Sequence, residues 1–148
     1  MKTLLTVLTI AGMLCAGLLT LDAADKKHLA GPKGGRLLEK TEPKAEFYLE
    51  KDRSVTITFY DAALKPVPVN AQSVTVIADA KDGKKTIEFE KKGDVLVSKT
   101  KLPEGDGYNL VVQLKQGADA RPQNFRFKLE THTCGGCQRA EYACICDE

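Results

Sequence analysis

The chain has 148 residues, 43% of them hydrophobic, and its 22 Lys and Arg against 20 Asp and Glu leave a net charge of +2. That length allows one domain. A near-neutral balance with both signs interspersed argues against a nucleic-acid partner, and no run of like charges forms a binding tail.

In chain order, the first segment is "MKTLLTVLTIAGMLCAGLLTLDAADKK". Lys2 is followed by an uncharged run from Thr3 to Leu21, then by Ala23 and Ala24 just before Asp25-Lys26-Lys27. This layout predicts a secretory signal peptide over 1–24, and hence a periplasmic or secreted protein. The uncharged run approaches the ~20 residues that a membrane-spanning helix needs. An uncleaved anchor is therefore the alternative, and membrane association is expected only in that case. Cys15 follows Leu14 where lipid attachment needs a small residue, so it reads as an apolar filler of the signal. Removing the signal leaves four cysteines, an even number in an oxidising compartment.

Residues 25–35 read as a flexible lead-in rich in Gly. From 36 to 130 the hydrophobic period is two. "KAEFYLE" sets Ala45, Phe47 and Leu49 against Glu46, Tyr48 and Glu50, and "SVTITFY" sets Val55, Ile57 and Phe59 against Ser54, Thr56 and Thr58. "QSVTVIA", "KTIEFEK", "DVLVSK", "GYNLVVQLK" and "NFRFKLE" continue the pattern. Such alternation marks strands with one buried and one wet face. Asp82-Gly83 is a hairpin signal, Lys92-Gly93-Asp94 separates the next pair of runs, and Pro66 and Pro68 keep "LKPVPVN" out of a central strand. Regularly spaced strands with no helical stretch predict an all-β fold. An antiparallel, immunoglobulin-like β-sandwich is expected over 36–130, with a compact barrel as the main alternative. A chain of this length can bury a core without help from its cysteines.

Nothing here assembles an active site. The chain has two histidines, His28 and His132, no Ser-His-Asp set, and no Gly-rich phosphate loop between a strand and a helix. No catalytic residues and no organic cofactor are expected, and the protein reads as a non-enzyme.

"HLAGPKGGRLLE", His28 to Glu39, places Gly31-Pro32 and Gly34-Gly35 in a turn ahead of an extended Arg36-Leu37-Leu38. The Gly-Pro-x-Gly-Gly-x-Leu-Leu pattern and the short alternating strand after it resemble a small extracytoplasmic domain of bacterial envelope proteins, including periplasmic adaptor subunits of heavy-metal efflux pumps. The resemblance covers about the first third of the mature chain and implies a β-sandwich and metal handling. In that family a His-rich tract often precedes the pattern; here His28 alone stands there.

The tail, 131–148, is "THTCGGCQRAEYACICDE", with cysteines spaced C-x2-C-x6-C-x-C. Three readings compete. Cys134, Cys137, Cys144 and Cys146 can place four thiolates around a tetrahedral zinc ion, and soft sulfur equally suits copper(I). His132 could replace one ligand. Gly135-Gly136 eases the tight C-x-x-C turn. The second reading is two disulfides; Cys144 bonded to Cys146 would close a small strained ring, so cross-pairing between the C-x-x-C turn and the last segment is the sound alternative. In that case the sandwich serves as a structural or interaction module that pairs an edge strand with another envelope protein. The third is an extracytoplasmic thiol-disulfide oxidoreductase centred on Cys134 and Cys137, which lacks the helix N-terminus or cation that activates such a thiol. The C-x-C pair chelates better than it crosslinks, which favours metal.

Overall fold

A computed structural model describes residues 28–146. The expected signal segment at 1–24, with Cys15, lies outside the described residues. Within them the chain is all-β. Its strands are β1 (Arg36–Leu38), β2 (Lys44–Leu49), β3 (Val55–Tyr60), β4 (Pro66–Val67), β5 (Ser73–Ala80), β6 (Gly83–Lys92), β7 (Val95–Ser98), β8 (Tyr108–Lys115) and β9 (Gln123–Leu129). One 3-10 turn, Glu141–Ala143, follows in the tail. No helix among the described residues is long and apolar enough to cross a membrane.

Every pairing is antiparallel, in the order β1-β2-β3-β7-β6-β5-β8-β9, with β4 beside β3. The strands expected from alternation all form. They do not divide into two facing sheets of an immunoglobulin-like sandwich: one continuous sheet curls until it is nearly closed into a barrel, nearer to the alternative architecture. The turning point is β6. Its first part, from Gly83 to Glu88, pairs with β5, and its last part, from Phe89 to Lys92, pairs with β7. A strand that changes partner along its length bends the sheet through a corner. Pro66 sits in the two-residue β4, where a missing ladder N–H costs little. Gly93, at φ +62°, supplies the left-handed residue in the two-residue turn between β6 and β7.

The inward positions are those the alternation marks. Ala45, Phe47, Val55, Ile57, Phe59, Val76, Ala78, Ile87, Leu110, Val112, Leu114 and Leu129 are fully buried. The expected wet face of β2 and β3 is only partly wet, with Tyr48, Glu50 and Ser54 half-buried. Glu46, Thr56, Thr58 and Tyr60 are buried as well. The lead-in, expected to be flexible, folds over that face through Gly31-Pro32-Lys33-Gly34-Gly35. The Glu46 carboxylate accepts hydrogen bonds from the Lys33 N–H (2.9 Å), the Gly35 N–H (2.8 Å) and the Tyr60 hydroxyl (2.7 Å). Burying a carboxylate is tolerable only with such partners. Two of the three glycines are there for closeness: a Cβ on Gly31 would lie 2.3 Å from Glu46 Oε1, and one on Gly35 would lie 2.2 Å from the Phe47 carbonyl oxygen.

β1 and β9, the two ends of the sheet, do not pair with each other. The tail fills the gap. Tyr142 and Ala143 are buried in the same core as the strands. The Tyr142 ring meets Phe47 edge-on at 5.9 Å and stacks near Phe127 at 6.5 Å, while Phe47 and Phe127 meet at 5.3 Å. Arg36 of β1 lays its guanidinium over the Phe127 ring of β9 at 4.9 Å and donates to the Tyr142 carbonyl at 3.1 Å. Four side chains from β1, β2, β9 and the tail thus close the seam that backbone pairing leaves open.

Candidate metal centre

Beyond β9 the chain makes a narrow excursion and returns. The Tyr142 N–H donates to the Glu130 carbonyl (2.9 Å), Glu141 to His132 (2.8 Å) and Cys134 to Arg139 (2.7 Å), and Thr133 bridges Ala140. At the tip the Gln138 N–H donates to the Cys134 carbonyl at 3.0 Å, with Gln138 in the left-handed region at φ +59°. This knuckle presents Cys134 and Cys137. The 3-10 turn, closed by Ala143 N–H to Ala140 O (2.8 Å) and Cys144 N–H to Glu141 O (3.0 Å), then carries Cys144 and Cys146 back against it.

All four sulfurs lie within 4.8 Å of one another. Cys134 and Cys144 are 3.2 Å apart; Cys134–Cys146 and Cys137–Cys144 are each 3.8 Å. A disulfide needs about 2.05 Å, so no pair is at bonding distance. Sulfurs bound to one zinc at about 2.3 Å stand roughly 3.8 Å apart along the edges of a tetrahedron. Two of these separations match that figure.

The backbone supports negative sulfur. The N–H groups of Ile145 and then Arg139 hold the Cys137 thiol down at about 6. The Cys146 N–H donates to the Cys144 sulfur at 3.3 Å. Sulfurs crowding one another act oppositely. Contact with Cys144 first, then with Cys134 and Cys137, pushes Cys146 up to about 12, and contact with Cys134 raises Cys144. Thiolates this close repel, and a cation among them reverses that logic.

The two glycines of the C-x-x-C turn have different roles. Neither has a positive φ. A Cβ on Gly136 would lie 2.7 Å from the Cys146 sulfur, whereas one on Gly135 would meet nothing within 4 Å. Gly136 is needed so that Cys146 can approach; the expectation that both glycines relieve the turn holds for neither by conformation.

The structure brings together the four expected cysteines and leaves both histidines outside. His132 is an exposed imidazole whose Nε2 lies 3.9 Å from a Glu141 carboxylate oxygen, and it is not among the clustered ligand atoms. His28 is likewise exposed, 3.8 Å from Glu39. Sequence reasoning missed Arg139. Its carbonyl accepts from the Cys134 N–H, and its guanidinium donates to the Gly31 carbonyl at 3.2 Å. That side chain ties the knuckle to the glycine loop that cradles Glu46. The chain matches no protein-family profile, and neither curated proteins nor solved structures show significant similarity to it.

Proposed function

We propose that this is an exported protein whose C-terminal Cys134, Cys137, Cys144 and Cys146 bind one soft metal ion, zinc or copper(I), as a carrier, buffer or sensor of that ion. The observation that carries the reading is the convergence of four sulfurs within 4.8 Å from two separate chain segments, with no pair at bonding distance. The chemistry fits. Thiolates suit both ions, and backbone N–H groups directed at Cys137 and Cys144 offset part of their charge, as outer partners of metal ligands do. Four protein ligands close the coordination sphere, which suits storage or structure rather than a catalytic ion with an open position. Export rests on the signal-like layout of 1–24.

The test is an intact mass of the mature protein, produced by export and weighed under native, non-reducing conditions. A single metal adduct lost in acid supports the reading. A mass lower by the hydrogens of two disulfides, with no metal and no reactive thiol, would replace it with the disulfide-stapled interaction module. Cobalt(II) substitution gives a second readout, because tetrahedral sulfur coordination produces intense charge-transfer and ligand-field absorption.

A further inference from the structure

We infer that Cys134 and Cys144 are the pair that oxidation joins, turning the sulfur cluster from an ion holder into a disulfide and expelling the ion. The pairing stands on geometry alone, while expulsion of the ion rests on the metal reading above. At 3.2 Å these sulfurs are closer than Cys134–Cys146 or Cys137–Cys144 at 3.8 Å. Bonding at about 2.05 Å asks for an approach of little more than about 1 Å, within the reach of side-chain rotation.

The backbone beneath both sulfurs is held by contacts outside the cluster. Cys134 is fixed by its N–H on Arg139 and its carbonyl under Gln138. Cys144 follows Tyr142 and Ala143, which are locked into the seam. The pair therefore does not have to search for each other. Cys144 with Cys146 would close a strained ring. Cys134 with Cys137 would join the knuckle to itself and leave the returning segment unlinked.

Exposure divides the roles. Within this pair Cys144 is half-exposed and Cys134 is buried, and in the ion-loaded protein both are already thiolates because metal binding removes their protons. With hydrogen peroxide as oxidant, the Cys144 thiolate attacks one peroxide oxygen, forming a sulfenic acid and releasing hydroxide. The shielded Cys134 thiolate then displaces the second hydroxide from the Cys144 sulfur and forms the S–S bond. Two electrons pass from the sulfurs to the peroxide, and two protons from solvent turn both hydroxides into water. An ion left with Cys137 and Cys146 alone has lost half its ligands.

The experiment treats zinc-loaded protein with increasing hydrogen peroxide. Released zinc is read with a chromogenic chelator, and crosslinks are located by tandem mass spectrometry of non-reduced tryptic peptides cleaved after Lys128 and Arg139. The expected result is one zinc released per first disulfide, that disulfide joining Cys134 and Cys144, with binding restored by a thiol reductant. Cys137→Ser should form the same bond, and Cys134→Ser should not release zinc through it. A first bond at any other pair, or sulfinic acid without a crosslink, would overturn the pairing. A Cys134–Cys144 crosslink with zinc retained would overturn expulsion alone. A protein that takes up no zinc yet forms that crosslink removes the metal reading, and expulsion with it, and leaves the pairing standing.

Discussion

The Leu49 N–H donates to the Tyr142 hydroxyl oxygen at 3.1 Å, joining the end of β2 to a residue that lies between the cysteine pairs. Tyr142 is thus part of the barrel and part of the metal centre's frame at once. Its ring sits with Phe47 and Phe127 in the seam between β1 and β9. Removing the ring should damage the barrel even though the residue belongs to the tail. Tyr142→Ala is expected to cost about 3–5 kcal/mol, the usual range for a buried aromatic. Tyr142→Phe, which only strands one N–H, should cost about 1 kcal/mol. Replacing all four cysteines with serine should abolish metal binding and leave the sheet folded, because this docking uses no sulfur. Urea unfolding of chelator-treated protein checks all three; a Tyr142→Ala midpoint equal to that of the parent would mean that the tail does not close the seam.

Much of this was legible in the sequence. Period-two alternation located the strands because each has an inner face, and the four cysteines announced their cluster by spacing. What escaped depends on non-local packing. The partner switch within β6 decides between a barrel and two sheets, and no local signal marks it. Glu46 read as part of a wet face because the glycine loop and the Tyr60 hydroxyl that satisfy its carboxylate reach it only in three dimensions. Tyr142 and Ala143 carry no local signal of burial, because they complete a core built by strands elsewhere in the chain. His132 lay near enough in sequence to join the ligands, but the hairpin from Glu130 to Tyr142 turns it outward toward Glu141.

Glu46 offers a sharper test of the glycine loop. Leucine at this position would leave the Lys33 and Gly35 N–H groups and the Tyr60 hydroxyl without an acceptor. At about 1–3 kcal/mol for each stranded donor, Glu46→Leu should cost more than about 3 kcal/mol. Glutamine keeps one oxygen for the two backbone donors, and its amide can donate to Tyr60 once that hydroxyl rotates to accept. Glu46→Gln should therefore be the milder variant, at about 1–3 kcal/mol. Equal losses in denaturant unfolding would show that the hydrogen bonds do not govern this site.

Alkaline pH should reveal the buried phenols. Burial raises Tyr60, Tyr108 and Tyr142 above the ordinary value of 10.0, with a further upward push on Tyr60 from its hydrogen bond to Glu46. A raised folded-state pKa means that the folded protein holds its protons longer than the unfolded chain. The stability these groups contribute is complete below about pH 10 and declines as pH rises toward their folded values. Phenolate absorbance should therefore show these tyrosines ionising together with unfolding, in one cooperative step above pH 10 that coincides with loss of β-sheet circular dichroism. Gradual ionisation of all three while the sheet persists would contradict their burial.

Gly135 and Gly136 are adjacent and identical, yet their substitution should give opposite results. An alanine methyl at 135 meets no atom within 4 Å, and the residue's backbone is not left-handed. Gly135→Ala should leave zinc affinity within about twofold of the parent, well inside the loss that a change around the ligands brings. At 136 the methyl would stand 2.7 Å from the Cys146 sulfur. That overlap forces either the knuckle or the last segment to retreat, which pulls one ligand out of the set while all four cysteines remain. An affinity loss of about 10–100-fold is expected, the range seen when groups around the ligands are altered. Competition against a chelator of known affinity measures both variants. Near-equal affinities would show that Cys146 does not share the site with the other three, and the centre would then be a three-sulfur one.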